Sequence, residues 1–105
     1  MGSILSTETD LIPVKFIKLY STSNIETNDN YVIINDVKYT FYYDIKTYVS
    51  RILNDIQNTK DMVKVYYYEN TIYGIVKFEG MYEERYMSKK VYFNLNGFYL
   101  DNKIT

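Results

Sequence analysis

The chain of 105 residues contains no histidine, cysteine or tryptophan, and no alanine occurs in it either. Without cysteine there can be no disulfide, no thiolate nucleophile and no zinc–cysteine site. Without histidine the chain lacks the usual general base at neutral pH and the commonest metal ligand. These absences exclude the histidine-assisted and zinc–cysteine chemistries before any motif is considered.

Other signals are scarce as well. The four glycines, at positions 2, 74, 80 and 97, form no glycine-rich phosphate loop. No apolar run approaches the roughly 20 residues of a membrane-spanning helix, and no signal peptide opens the chain. The formal charge of −1 provides no overall attraction toward nucleic acid or anionic membrane. We expect an intracellular, cytoplasmic protein without a cofactor or a bound metal.

Tyrosine is the residue in excess, with 14 copies in the chain. Abundant tyrosine, isoleucine and asparagine without alanine is typical of an AT-biased genome, and we interpret the source as viral or parasitic. A hydrophobic fraction of 47% indicates a globular chain, and its length fits a single domain. We predict a flexible N-terminal segment over residues 1–11 and one α+β domain over residues 12–105.

The opening MGSILST matches the N-myristoylation pattern, in which a free Gly2 is followed by a hydroxyl residue, here Ser6. Met-Gly-Ser is also a common remnant of expression cloning, so both interpretations stay open. A single acyl chain anchors a protein only marginally, and Glu8 and Asp10 repel anionic lipid. Membrane association is therefore expected only if Gly2 is myristoylated and a second signal contributes.

Three strands are predicted ahead of one helix. PVKFIKLY, from Pro13, alternates as a strand does, and residues 21–30 are predicted to form the most flexible interior loop. Asn35 and Asp36 stand between two β-branched and aromatic runs, which indicates a tight hairpin. Asp44 occupies the expected N-cap of a helix. The residues that recur at the spacing of one helical face are Ile45, Tyr48, Val49, Ile52, Leu53 and Ile56.

After this helix, which is expected to end near Asn58, MVKVYYY and TIYGIVKFEG are predicted to be strands. Alternation in the second places Ile72, Gly74, Val76 and Phe78 on one face. EERYMSKK is predicted to be a charged connection, and Asn-Gly in VYFNLNGFYL marks a final hairpin. The predicted class is α+β, an antiparallel sheet of about five to six strands with one amphipathic helix packed on one face.

The segment from Val37 to Leu95 resembles the nuclease domain of rolling-circle replication initiators of the geminivirus type. The stretches that carry the resemblance are VKYTFYY, DIKTYVSRILNDI, MVKVYYYE and IVKFEGMY. They match a strand, a helix, a second strand and a strand that ends in Phe-Glu-Gly. In that family the last of these strands carries a His-hydrophobic-His metal motif. The resemblance to this family as a whole implies a fold that binds single-stranded DNA.

The departures from that family fall on its chemistry. Thr71 and Tyr73 stand at the two histidine positions, and neither is a good ligand for Mg²⁺ or Mn²⁺. Tyr86 and Lys89 have the Tyr-x-x-Lys spacing of the family's nucleophile, but they come too early in the chain. The resemblance therefore implies a nuclease fold that has lost its metal site and its activity.

We predict no enzymatic activity, no catalytic residue and no metal ligand. The leading hypothesis is a viral accessory protein that binds a protein partner, or a second copy of itself, through an exposed tyrosine-rich sheet face. The alternative is a degenerate replication-initiator fold that binds single-stranded DNA without cleavage, with bases stacked on tyrosine rings. The surface residues proposed for either function are Tyr66, Tyr68, Tyr73, Lys77, Arg85, Lys89 and Lys90.

Overall fold

The computed structural model describes residues 11–101 of the chain. Its strands and its helix, in chain order, are β1 (Leu11–Pro13), β2 (Lys15–Leu19), β3 (Ile25–Thr27), β4 (Tyr31–Ile34), β5 (Val37–Phe41), α1 (Lys46–Asp55), β6 (Met62–Tyr68), β7 (Thr71–Glu79), β8 (Tyr82–Met87), β9 (Val91–Asn94) and β10 (Gly97–Asp101). The predicted α+β class is confirmed. In this part of the chain, no helix has the length and apolar character needed to cross a membrane.

The large sheet has seven strands, in the order β2-β6-β7-β5-β4-β3, with β8 also paired to β7. Its neighbours are antiparallel except for β5 and β7, which run parallel and pair Thr40 with Thr71. The Thr40 N–H donates to the Asn70 carbonyl at 2.8 Å. Beyond this short contact, β8 takes over the same edge of β7 from Gly74 to Glu79. Strand β7 is therefore central, with β6 on one side and β5 followed by β8 on the other.

The predicted hairpins are confirmed, with one shift. Asn35 and Asp36 have φ values of 50° and 70°, the left-handed conformation that a two-residue hairpin turn of this kind requires. In the last hairpin Asn94 pairs with Gly97, so the two residues of the turn are Leu95 and Asn96. The prediction had placed Asn96 and Gly97 there. Gly97 follows at φ +134°, a conformation that disfavours other residues.

Helix α1 packs its predicted face over one side of the large sheet and continues into a single 3-10 turn over Ile56–Asn58. Tyr48 differs from the other residues of this face because it is 41% exposed. It lies at the rim and stacks on Tyr86, with ring centroids 4.7 Å apart. The core between helix and sheet consists of Leu19, Ile25, Val32, Ile34, Tyr39, Ile45, Val49, Ile52, Leu53, Ile56, Val63, Val65, Ile72 and Ile75.

The prediction that Asp44 caps this helix is wrong. The N-cap position is Ile45, and within residues 11–101 no side chain makes a capping hydrogen bond there. The Asp44 carboxylate instead accepts hydrogen bonds from the Ser88 hydroxyl at 3.0 Å and the Lys89 N–H at 2.9 Å. The turn between β8 and β9 passes close to the start of the helix and supplies both donors.

A bulge in β7 overturns the predicted division of its faces. The two residues that flank Tyr73 pair with consecutive residues of β6, so Tyr73 has no partner on that strand. The extra residue reverses the alternation, and Ile72 and Ile75 both join the core beneath the helix. Gly74 and Val76 therefore lie on the opposite face from Ile72, although simple alternation placed all three together.

A second sheet covers part of the face opposite the helix. It has three strands in the order β1-β10-β9, and β1 runs almost directly into β2 of the large sheet. The Val14 N–H donates to the Phe98 carbonyl at 3.1 Å, and the Phe98 ring meets the Tyr66 ring at 4.9 Å. The final predicted hairpin thus belongs to a separate small sheet rather than to the main one.

Two stretches predicted as loops contain strands. Residues 21–30 include β3, which pairs with β4 and buries Ile25. The stretch EERYMSKK begins within β8, whose charged side chains stay exposed while its backbone pairs with β7. Of the predicted flexible segment over residues 1–11, only Leu11 is described, and it begins β1. Gly2 and its predicted lipidation lie outside the described residues.

Candidate functional site

The structure divides the seven predicted surface residues among separate places, and the first pair lies opposite the helix. Tyr66 is only 8% exposed because Phe98 of the small sheet covers it, so its prediction as a surface residue is wrong. Burial raises the pKa of Tyr66, and the nearby Arg85 opposes this rise. The Arg85 guanidinium lies 5.6 Å from the centre of the Phe93 ring and binds Glu83 at 3.2 Å. Arg85 therefore supports the small sheet and carries a charge that is already paired.

Lys77 lies on the helix side, away from the other predicted residues. Its Nζ is 3.7 Å from the Asp61 carboxylate and 3.8 Å from the Glu79 carboxylate. It borders a small cleft in which acidic residues balance the basic ones. Lys77 is therefore part of a mixed-charge surface.

The remaining predicted residues meet at one end of the large sheet. The Ser88 N–H donates to the Tyr73 carbonyl at 2.8 Å, which brings Lys89 and Lys90 beside the bulge of β7. Tyr68 contributes to the same neighbourhood, since it lies close enough to Tyr73 to influence its ionisation. The predicted surface grouped these residues with Tyr66, Lys77 and Arg85, which lie elsewhere in the structure.

Three tyrosine rings contact one another in a row at this end of the sheet. We call Tyr42, Tyr43 and Tyr73 the tyrosine stack. The Tyr73 ring stacks on the Tyr42 ring with centroids 5.1 Å apart and an interplanar angle of 29°. Tyr42 meets Tyr43 at 4.8 Å, and Tyr43 is 80% exposed. The stack therefore ends in a ring that faces solvent while its inner neighbours hold it in place.

Tyr73 is the inner, protonated member of the stack. Burial raises the pKa of its hydroxyl, and the nearby Tyr42, Glu69 and Tyr68 raise it further. Near neutral pH the hydroxyl consequently stays neutral and can donate a hydrogen bond. Tyr73 therefore contributes an aromatic ring to the stack without adding a negative charge.

A shallow cleft of about 250 Å³ adjoins the exposed end of the stack, lined by Tyr42, Tyr43, Asp44, Lys89 and Lys90. Asp44 holds the lysine-bearing turn through the Ser88 hydroxyl and the Lys89 N–H. The other Asp44 oxygen, Oδ1, is enclosed and receives no hydrogen bond within residues 11–101. The Asp44 carboxylate places a negative charge in the same cleft as Lys89 and Lys90.

A second aromatic surface was missed from the sequence. On the sheet face opposite the helix, the Lys64 Nζ lies 4.9 Å from the centre of the Phe16 ring and 5.5 Å from that of Phe78. Phe16 is 49% exposed, although its ring lies 5.7 Å from the Tyr66 ring. The sequence signal for this surface was the alternation of phenylalanine with lysine on β2. The prediction did not include it because it considered tyrosines alone.

The hairpin ends expose further large apolar side chains. Leu95 in the turn after β9 and Met81 in the turn after β7 are fully exposed, at 103% and 101%. Tyr82 is 79% exposed and Phe93 is 66% exposed. Strand β9 is the outer strand of the small sheet, and within residues 11–101 no other strand pairs with its open edge.

The two positions that the resemblance assigns to histidines make other contacts. The Thr71 hydroxyl lies 3.5 Å from the Thr40 hydroxyl, and Tyr73 belongs to the tyrosine stack. Across residues 11–101, no three acidic side chains come close enough together to hold a metal ion. No protein-family model, no curated protein and no solved structure matches this chain. The resemblance to replication initiators therefore stays a prediction.

Proposed function

We propose that this chain is a non-enzymatic interaction protein that binds a protein partner through the tyrosine stack and the adjoining Lys89 and Lys90. The observation that carries the proposal is the state of Tyr43, a residue that is 80% exposed although its ring rests against the Tyr42 ring. A ring already held in place loses little conformational freedom on binding, and tyrosine is enriched among residues that dominate binding energy. The composition supports a viral accessory role in the cytoplasm of a host cell.

The chemistry of the cleft suggests what the partner presents. Tyr42 and Tyr43 provide apolar area with hydroxyl groups at its edge, and Lys89 and Lys90 place positive charge beside it. A partner segment with an apolar or aromatic side chain next to a carboxylate fits both features. Such a segment would bury the Tyr43 ring and meet the lysines at the rim, where charges chiefly set specificity and association rate.

Single-stranded DNA is a second candidate for the same surface. An exposed ring beside lysines is the arrangement that non-specific single-strand binders use, with stacking worth about 1–3 kcal/mol per base. Asp44 counts against this candidate, because its carboxylate lines the same cleft and repels phosphate. We therefore propose the protein partner first.

A photo-crosslinking amino acid at position 43 tests the proposal directly. The matched control is position 82, because Tyr43 and Tyr82 are equally exposed at 80% and 79% but lie on different elements. In cells that express the protein, we expect a defined crosslinked product from position 43 and none from position 82. Lys89→Glu combined with Lys90→Glu should reduce it. Equal products from both positions, or none from position 43, would contradict the proposal.

Fluorescence anisotropy with a labelled single-stranded oligonucleotide separates the two candidates. Binding to DNA would weaken as a power of the salt concentration, with a slope set by the few phosphates contacted. It would also weaken in Tyr43→Ala but not in Tyr82→Ala. We expect no binding even at low salt; binding that survives physiological salt and requires Tyr43 would favour DNA over the protein partner.

A further inference from the structure

Strand β9 lacks the features that protect the other outer strands. No charged residue occurs from Val91 to Leu100. Proteins usually guard exposed strand edges with charged side chains or proline. The other outer strands of the two sheets carry such residues, namely Pro13 in β1, Lys15 and Lys18 in β2, Glu26 in β3, and Glu83, Glu84 and Arg85 in β8. The open edge of β9 is therefore a place where another strand can add.

The backbone of β9 presents its hydrogen-bonding groups at Phe93. Phe98 accepts a hydrogen bond from the Val14 N–H at 3.1 Å, so its carbonyl points toward β1 and away from β9. Phe93 lies directly opposite Phe98. Opposed residues in an antiparallel pair either exchange both hydrogen bonds or both point away. The N–H and carbonyl of Phe93 therefore point outward along the open edge.

We propose that two copies of this chain pair antiparallel along β9, with Phe93 opposite Phe93 of the second copy. The two residues exchange both outward hydrogen bonds. In this register Tyr92 lies opposite Asn94 of the second copy, and Val91 lies level with Leu95, the first turn residue after the second copy's β9. The two three-stranded sheets then form one continuous sheet across the dimer axis.

The sequence of the edge favours a second copy over an unrelated strand. Pairing about Phe93 is self-complementary, as a two-fold interface requires, and it gives the fully exposed Leu95 an apolar partner in Val91. The two Phe93 rings become cross-strand neighbours, an arrangement that stabilises sheets. Arg85 beside each ring already binds Glu83 at 3.2 Å, so the dimer brings no unpaired guanidinium groups together.

Measurement of mass in solution tests the dimer. The full chain should sediment at twice the monomer mass at high concentration and dissociate on dilution. Leu95→Asp should weaken the dimer at least about tenfold, since it removes a buried leucine contact and brings in a charge. Met81→Asp is the matched control, because Met81 is equally exposed at another hairpin end and should have no effect. A monomer up to the solubility limit, or equal effects of both variants, would overturn the proposal.

Disulfide formation tests the register, and the absence of native cysteine makes single substitutions sufficient. Tyr92→Cys and Asn94→Cys on different copies would lie opposite each other with Cα atoms about 4.5 Å apart. That separation permits a disulfide. Two copies of Tyr92→Cys would hold their cysteines about 8 Å apart, which does not. A covalent dimer should form only in the mixture, and self-linking of either variant alone would refute this register.

This inference does not rest on the proposed function, because β9 contains no residue of the tyrosine stack. A chain that stays monomeric but still crosslinks a partner through position 43 would contradict the proposed dimer and support the proposed function. A chain that dimerises without such a crosslink would do the reverse.

Discussion

The two faces of the large sheet are built from different kinds of side chain. Beneath the helix, Val49, Val65, Ile72 and Ile75 are completely buried. On the opposite face aromatic rings and long cations dominate, and Phe16 remains 49% exposed. Branched aliphatic side chains interlock at the density of organic crystals, whereas rings and long cations cover area while part of each stays in water. The aliphatic face thus specifies the fold, and the aromatic face provides surface for further contacts.

The largest effect should come from the aliphatic face. Ile72→Ala truncates a completely buried side chain at the centre of the core. It should lower the free energy of unfolding by about 3 kcal/mol. Urea denaturation followed by circular dichroism measures this change. A loss below about 1 kcal/mol would mean that the core collapses into the space, and that its packing is less strict than the burial indicates.

A smaller effect is expected where the small sheet covers the aromatic face. Phe98→Ala removes ring contacts with Tyr66 and Phe93, and because Phe98 is only half-buried we expect a loss of about 2 kcal/mol. The same substitution uncovers Tyr66, so the pKa of its hydroxyl should fall toward the ordinary tyrosine value. A pKa that does not move while stability drops would show that another group buries Tyr66.

A still smaller effect is expected from the exposed aromatic strip. Lys64→Met keeps the apolar stem but removes the charge that lies 4.9 Å from the centre of the Phe16 ring. We expect a loss of about 0.5–1 kcal/mol, typical of an exposed cation–π contact. Lys18→Met is the control, since Lys18 neighbours Lys64 in the sheet without a ring contact of this kind. Equal losses in both variants would point to general charge effects.

Tyrosine ionisation should have the smallest effect on stability near neutral pH. It also compares the two faces of the large sheet, because each face buries one tyrosine with a raised pKa. Burial raises the pKa of Tyr39 beneath the helix, with a further contribution from Tyr67, and it also raises the pKa of Tyr66. In the unfolded chain tyrosine ionises at about pH 10. The stability that these residues contribute is therefore complete below that pH and is lost as the pH rises through the higher folded values.

Absorbance of tyrosinate and thermal unfolding, both followed from about pH 8 to pH 12, measure this loss. Tyr39→Phe and Tyr66→Phe should each remove one late-ionising group. If all tyrosines ionise together at the ordinary value, the enclosure of Tyr39 and Tyr66 is incorrect.

Local patterns predicted the elements whose signals are short in range. The helix face followed from apolar spacing, and the turn at Asn35 and Asp36 followed from residues that tolerate left-handed backbone. Strand β8 was missed because its charged side chains resemble a loop, although its backbone pairs with β7 throughout. The polarity of a segment indicates whether its side chains face solvent. Whether its backbone pairs in a sheet depends on another strand, which the segment itself does not reveal.

The candidate site was predictable only in its residue types. Tyrosine and lysine side chains indicated a contact surface, but the bulge at Tyr73 and the cover of Phe98 over Tyr66 depend on partners far along the chain. The role of Asp44 shows the same limit. Its position indicated a helix cap, and donors from the turn at Ser88, far along the chain, compete successfully for its carboxylate.

The pairing of β1 with β10 has a consequence for synthesis on the ribosome. Leu11 is opposite Asp101, so a strand that emerges early must wait for nearly the whole chain before it finds its neighbour. The large sheet contains none of the strands after β8 and can form first, with its aromatic face still bare. Until the last strand arrives, the nascent chain presents that face to chaperones or to other nascent chains, and premature termination would leave it permanently uncovered.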